Sequence, residues 1–348
     1  MRPEIRPRLP EASSIPLPEP LDSVHTYFRH DRRRGVAAGA RTGRLRLLEI
    51  DPDRRAVEVH PLPITVPPRP DGHGWMVHHI SGSRTLDRLL LWTDALRVHS
   101  LPSGDVVAEP GAAPGRATCL AFSGHRVISL GEGQGWAMDL DASVPSWTET
   151  DAFHRIERTD SDEAEDLYLD HVDGIVAHPC PDAAVEDDDE EFWLAAACYG
   201  FAVIHRVKMR WGDRVWCVEE KTRSFGGFVY DPTELLQPWG HRHAFVWHGY
   251  GTGLAALDPE GEEPHHCWIR GPRKQPYGFI SGVVACGDEP LAWGHSKDGA
   301  FLWRVGEPPR MMPDPPGLVL AVYPGALLCQ SPGGDALLWC ELPDGTGA

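Results

Sequence analysis

The stretch "TDALRVHSLPSG" (residues 93–104) opens on a tight turn, runs through a strand of alternating apolar and polar residues, and closes on a second turn. Alternation at period two sends successive side chains to opposite faces of a sheet. "RTGRLRLLEIDP" (41–52) repeats the pattern almost position for position. Looser copies are "GQGWAMDLD" (133–141), "YGFAVIHRV" (199–207), "GTGLAALDPEG" (251–261), "KDGAFLWRV" (297–305) and "GGDALLWCEL" (333–342). Each sets a Gly or Asp turn ahead of period-two apolar residues, the signature of a hairpin's second strand.

Anchored on Gly43, Asp94, Gly135, Gly200, Gly253, Gly299 and Asp335, the seven copies stand 36 to 65 residues apart. Other strand-like runs precede most anchors, such as "GVAAGA" before Gly43, "DRLLLWT" before Asp94 and "ALLCQS" before Asp335. Three or four short strands in every ~40–50 residues is the spacing of propeller blades. No long amphipathic helical period interrupts them, as a parallel α/β sheet would require. The sequence therefore predicts an all-β chain: residues 1–348 as a single seven-bladed β-propeller domain with four-stranded antiparallel blades.

On these repeats the chain resembles a degenerate WD-repeat-like β-propeller. Trp303 and Trp339 stand near the end of a third strand, where that family's hallmark tryptophan falls. The Trp-Asp dipeptide and the regular Gly-His pairs of the family are missing. The resemblance extends to bacterial propellers of conflict or defence operons, including the MoxR–vWA-associated kind.

The last repeat supplies only three strands, "GLVLAVY", "GALLCQS" and "DALLWCEL", before the sequence stops. An unpaired edge invites aggregation, so the missing outer strand must come from elsewhere. The extended, proline-punctuated segment "ASSIPLPEP" (12–20) suits an edge strand. Residues 1–20 are therefore expected to close the last blade.

Composition narrows the function. Four lysines stand against 29 arginines, a bias of GC-rich bacterial genomes. The N-terminal "MRPEIRPRLPEASS" lacks the apolar stretch of a signal peptide. The apolar runs at 192–204 and 317–329 are 13 residues each, short of the roughly 20 that span a bilayer as a helix. Seven of the eight cysteines lie in strand-like runs and no CxxC pair occurs, as expected of a reducing cytoplasm. No membrane association is expected.

The net charge of −18 is unevenly placed: Thr159 to Glu191 holds 14 acidic residues and no Lys or Arg. The remainder carries 33 basic and 37 acidic residues, so a nucleic-acid partner is not expected. The cluster Arg32, Arg33 and Arg34 reads as a solvated turn. Catalytic motifs fare no better. "HGYGTGLAALD" (248–258) has Leu254 where a dinucleotide loop needs its third glycine. No Gly-x-Ser-x-Gly elbow and no HExxH occur. His241 and His243, at i and i+2, are spaced to chelate on one face of a strand, but read better as a polar loop end. Cys180, two residues from His178, reads as a loop cysteine. No catalytic residue, cofactor or metal is assigned.

The sharpest local feature is "AVEDDDEEFWLAAACYGFAV" (184–203), where six carboxylates meet an apolar run. With "DGIVAH" (173–178) and "FWLAAACY" (192–199) as the first two strands of blade four, Glu186, Asp187, Asp188, Asp189, Glu190 and Glu191 fall in the loop between them. This acidic insertion, about 159–191, lengthens the blade. The equivalent loop of blade five, roughly 232–242, carries Trp239, His241 and Arg242, on the same rim. These nine residues form the expected docking site for a protein partner with a basic segment. The expected function is a cytoplasmic, non-enzymatic scaffold or regulatory subunit in a bacterial multi-protein system. The alternative is a propeller hydrolase or lyase acting on a small or glycan-like substrate at the axial pore.

Overall fold

In a computed structural model, the protein is described at residues 8–29, 32–72, 74–83, 86–111, 119–123, 125–131, 134–150, 157–158, 172–179, 189–198, 201–210, 215–226, 236–239, 243–247, 253–257, 265–268, 280–285, 290–296 and 299–343. Regular structure among them is entirely β, in seven sheets.

β1 (Glu11–Pro16) stands apart from its neighbours in sequence and is taken up below. Sheet one holds β2 (Leu21–Arg29), β3 (Arg32–Gly39), β4 (Arg44–Asp51) and β5 (Ala56–Thr65). Sheet two holds β6 (His79–Gly82), β7 (Arg88–Trp92), β8 (Leu96–Ser100) and β9 (Val106–Gly111). Sheet three holds β10 (Cys119–Ser123), β11 (Arg126–Gly131), β12 (Gln134–Asp139) and β13 (Trp147–Thr150). Sheet four runs in the order β14 (Glu157–Arg158), β18 (Val215–Gly226), β17 (Phe201–Arg210), β16 (Asp189–Cys198) and β15 (Val172–Pro179). Sheet five holds β19 (Leu236–Trp239), β20 (His243–Trp247), β21 (Gly253–Leu257) and β22 (His265–Trp268). Sheet six holds β23 (Ile280–Ala285), β24 (Leu291–Ser296), β25 (Gly299–Arg304) and β26 (Arg310–Met312). Sheet seven holds β27 (Leu318–Tyr323), β28 (Ala326–Gln330) and β29 (Ala336–Glu341), and its fourth strand is β1.

Every sequence anchor falls between the second and third strands of a sheet or within the first two residues of the third. Gly43 shows why such a position is restricted. Its φ is +64°, and a Cβ there would stand 2.6 Å from the Trp75 ring and 2.8 Å from the Val66 carbonyl. Sheet four departs from the predicted four strands. β14 adds a fifth, parallel to β18, and β16, β17 and β18 run 10 to 12 residues. Long strands, as well as an insertion, account for the wide spacing of this repeat.

Packing follows the period-two alternation. In sheet two, Leu89 and Leu91 pack toward Val36, Leu45, Leu47, Leu62 and Ile64 of sheet one. Leu90, between them, packs with Leu120, Phe122, Val127 and Met138 of sheet three. In sheet six, Leu291 and Trp293 join the sheet-seven core, whereas Ala292 and Trp303 pack with Leu254 and Ala256 of sheet five. Sheets two and six are thus buried on both faces, with each fully buried large apolar side chain worth about 1.5–3 kcal/mol. Trp303 and Trp339, the hallmark positions, are both buried on third strands. The first strands lie side by side in sequence order: β2 by β6, then β10, β15, β19, β23 and β27, which lies against β2.

The junction of the seventh and first sheets is tied by several groups. β1 pairs antiparallel with β29, with Ile15 opposite Leu337, Ser14 opposite Leu338 and Glu11 opposite Cys340. Gln330 Nε2 donates to the Leu21 carbonyl at 2.7 Å, and Thr26 Oγ1 donates to the Leu320 carbonyl at 3.2 Å. Arg55 pairs with Glu341 at 2.9 Å. Between β1 and β2, Glu19 is only 7% exposed. It accepts hydrogen bonds from Thr42 Oγ1 and Arg46 Nη2, each at 2.8 Å.

Candidate functional site

In sheets of this kind, the connections from first to second strand share one rim with those from third to fourth. Arg55, after β4, meeting Glu341 at the end of β29 is consistent with that arrangement. The β15–β16 and β19–β20 connections lie outside the described residues. Their flanking first strands, β15 and β19, pack side by side.

The details correct the sequence reading. Glu186, Asp187 and Asp188 lie outside the described residues, as do His241, Arg242 and Cys180. Asp189, Glu190 and Glu191 are not in a loop. They begin β16, where register sets Asp189 opposite Arg210 and Glu191 opposite Lys208 on β17. Trp239 is likewise the last residue of β19, opposite His243, rather than a loop residue. The basic cluster is also structured. Arg32, Arg33 and Arg34 begin β3, and Arg34 pairs with Glu49 and with Asp87, the latter at 2.9 Å. That pair spans sheets one and two.

On the first strands, the described titratable side chains are Asp22, His25, His79 and Tyr323. Burial, with the neighbouring His25 charge, pushes the His79 pKa down to about 4. His79 is therefore neutral at pH 7. Elsewhere, His125, Asp139 and Asp141 bring ligand atoms within 4.8 Å of one another, as do Glu49, Glu58 and His60 on β4 and β5. These are partly exposed groups, and Glu49 is already engaged by Arg34.

The opposite rim carries a cleft that the sequence reading did not find. It measures about 280 Å³ and is lined by Asp22, Ala38, Leu45, Arg69, Gly74, Trp75, Val77 and Ile80. The segment after β5 doubles back to cover it. Met76 N–H donates to the Pro67 carbonyl, Arg69 N–H to the Gly74 carbonyl, and Pro68 bridges Trp75. A tryptophan inside the turn-rich "PPRPDGHGW" (67–75) was the available signal, since exposed turns seldom hold so large a side chain.

The chain matches no protein-family model and no curated protein sequence. Its fold, however, is that of solved β-propellers. The β-propeller domain of Cps50 (Swd1) from Myceliophteria thermophila aligns with a TM-score of 0.58 at 11% identity, covering 95% of this chain and 99% of that one. BBS1N, solved in complex with ARL6DN, aligns at 0.53 and 12%, covering 99% of both chains. A chain of the Mitotic Checkpoint Complex aligns at 0.55 and 10%, covering 99% of this chain and 95% of that one. The protein is thus similar in fold to these solved chains over nearly its whole length and has a β-propeller fold.

Proposed function

We propose that residues 1–348 form one closed, seven-bladed ring, with residues 1–20 supplying the closing strand. The ring serves as a non-enzymatic interaction scaffold or regulatory subunit for protein partners. We place it in the cytoplasm, in a bacterial multi-protein system of the conflict or defence kind. The cycle of first-strand neighbours from β2 to β27 and back supports the ring. The arginine-over-lysine bias supports the bacterial source. BBS1N and the Mitotic Checkpoint Complex chain are propellers solved within protein assemblies, which supports the partner role.

The observation that carries the interaction reading is charge placement: 14 carboxylates without one Lys or Arg between Thr159 and Glu191, against −18 for the whole chain. Such a field speeds and orients the encounter with a basic partner segment. Glu186, Asp187 and Asp188 are its proposed core, because Asp189, Glu190 and Glu191 belong to β16. Trp239, His241 and Arg242 on the neighbouring blade complete the surface.

The test begins with the partner recovered by affinity purification from the native bacterium. Replacing Glu186, Asp187 and Asp188 with Ser and Gly leaves the strands untouched. Association at low ionic strength is expected to slow about tenfold, with a shallower salt dependence. An unchanged on-rate and salt slope would contradict the assignment.

A further inference from the structure

We infer that Cys329 and Cys340 form a reversible disulfide between β28 and β29 on reaction with a peroxide, and that this bond loosens β1 from β29. The inference stands on the register of sheet seven and is independent of the interaction reading above.

Placement comes first. Cys340 stands opposite Leu327, and Cys329 stands opposite Leu338. Directly opposed residues share a face, as do residues two apart on one strand, so the two cysteines are diagonal neighbours on the same face. Both are free thiols without solvent exposure. They also touch: the Cys329 S–H donates a hydrogen bond to the Cys340 sulfur. That bond holds the Cys340 thiol below its ordinary pKa, although burial and the Glu11 charge pull the other way. The same bond, together with burial, pushes Cys329 up. One sulfur is thus prepared to ionise and attack, and its neighbour to resolve the product.

The reaction balances with hydrogen peroxide as oxidant. The Cys340 thiolate attacks one peroxide oxygen, the O–O bond breaks, and hydroxide leaves to become water. Cys329 sulfur then attacks the resulting sulfenic sulfur. The S–O bond breaks, and its oxygen departs as a second water with the Cys329 proton. Each sulfur gives up one electron, and the peroxide takes both.

Access and consequence both run through β1. The strand order is β1-β29-β28-β27, so β1 alone flanks the outer side of the strand that carries Cys340. Five of the six β1 residues are exposed, among them Glu11, directly opposite Cys340. A strand with so little buried surface opens below the cost of global unfolding, which admits a molecule as small as peroxide. Closing the bond then disturbs the register. Diagonal neighbours stand about 7–8 Å apart at Cα, whereas a disulfide spans about 4.4–6.8 Å. β29 must therefore shift toward β28, which takes Cys340 out of line with Glu11. The same mismatch keeps the bond easy to reduce.

The test treats full-length, reduced protein with hydrogen peroxide under native conditions. Asp335 lies between the two cysteines, so a protease that cuts at aspartate separates them unless a bridge joins them. Mass spectrometry is expected to find a 329–340 link in the monomer, removed by dithiothreitol. Dimedone, which traps sulfenic acid, should label Cys340 in Cys329→Ala but leave Cys329 unlabelled in Cys340→Ala. Hydrogen exchange at the β1 amides should be about tenfold faster, or more, in the oxidised protein than in the reduced one. A link that forms only in denaturant, or equal dimedone labelling of the two variants, would overturn the assignment of the pair. Native bridging with unchanged β1 exchange would overturn the loosening.

Discussion

Removal of residues 1–17 is expected to lower the melting temperature by roughly 5 °C or more and to drive the protein toward dimers or aggregates. The deletion takes away β1 and exposes the backbone edge of β29 along Ala336–Cys340. It also removes Leu9, which is 3% exposed, and the partly buried Ile15 and Leu17, all packed into the core of sheet seven. Together these side chains are worth about 4 kcal/mol. The bare edge then pairs with whatever strand is offered, usually another copy. A synthetic peptide of residues 8–18 should restore part of the loss by rebinding the edge. An unchanged melting curve with monomeric elution would show that β1 does not close the ring.

Glu19→Ala is expected to cost about 3 kcal/mol, although Glu19 touches no candidate site. The substitution leaves the guanidinium of Arg46, whose side chain is 16% exposed, without its carboxylate. Removing one partner of a buried pair is costly because the other charge stays buried. Gly39 provides a second handle, since a Cβ there would fall 2.3 Å from Glu19 Oε1. Gly39→Ala should therefore destabilise the native protein but be tolerated far better in the Glu19→Ala background. Additive costs would refute the proposed contact.

The pair also has a pH signature. Burial alone would raise the Glu19 pKa, but hydrogen bonds from Arg46 and Thr42, with the Arg46 charge and the Arg41 backbone, bring it below its ordinary value of 4.5. A lowered folded-state value means the stabilisation is complete above about pH 4.5 and is lost as pH falls through the folded pKa. His79 acts in a neighbouring window. Held neutral by burial, it costs stability as pH falls from 6.5 toward 4, where the unfolded chain takes up a proton and the folded one does not. Glu19→Gln should flatten the acid limb below pH 4.5 and leave the part above it unchanged.

What was legible in the sequence was whatever chemistry repeats locally. The seven turn anchors were readable because glycine or aspartate at a tight turn and period-two strands are constraints within about ten residues of each other. β1 was readable from a deficit, because the last repeat ends one strand short. What stayed hidden depends on residues far apart in the chain. The start of β16 looked like a solvated charge run because Lys208 and Arg210, its register partners, lie about twenty residues on. Glu19 in "LPEPLD" has no local mark of burial, since Thr42, Arg46 and the bare Gly39 are supplied by sheet one. The cleft was hidden for the same reason: Asp22 and Trp75 meet only after β2 and the covering segment have packed.

The proposed closure of the ring is tested most directly by a cross-link. Glu11 stands opposite the native Cys340 in the β1–β29 register. Directly opposed antiparallel residues have Cα separations of about 4.5–5.5 Å, within the range that a disulfide spans. Glu11→Cys, in a Cys329→Ser background and under mild oxidation, is expected to yield an intramolecular disulfide between residues 11 and 340 in the monomer. Mass spectrometry of a non-reduced protease digest would read it. If residue 11 stays unlinked, or links only to a second copy of the chain, the N-terminal strand does not close this ring.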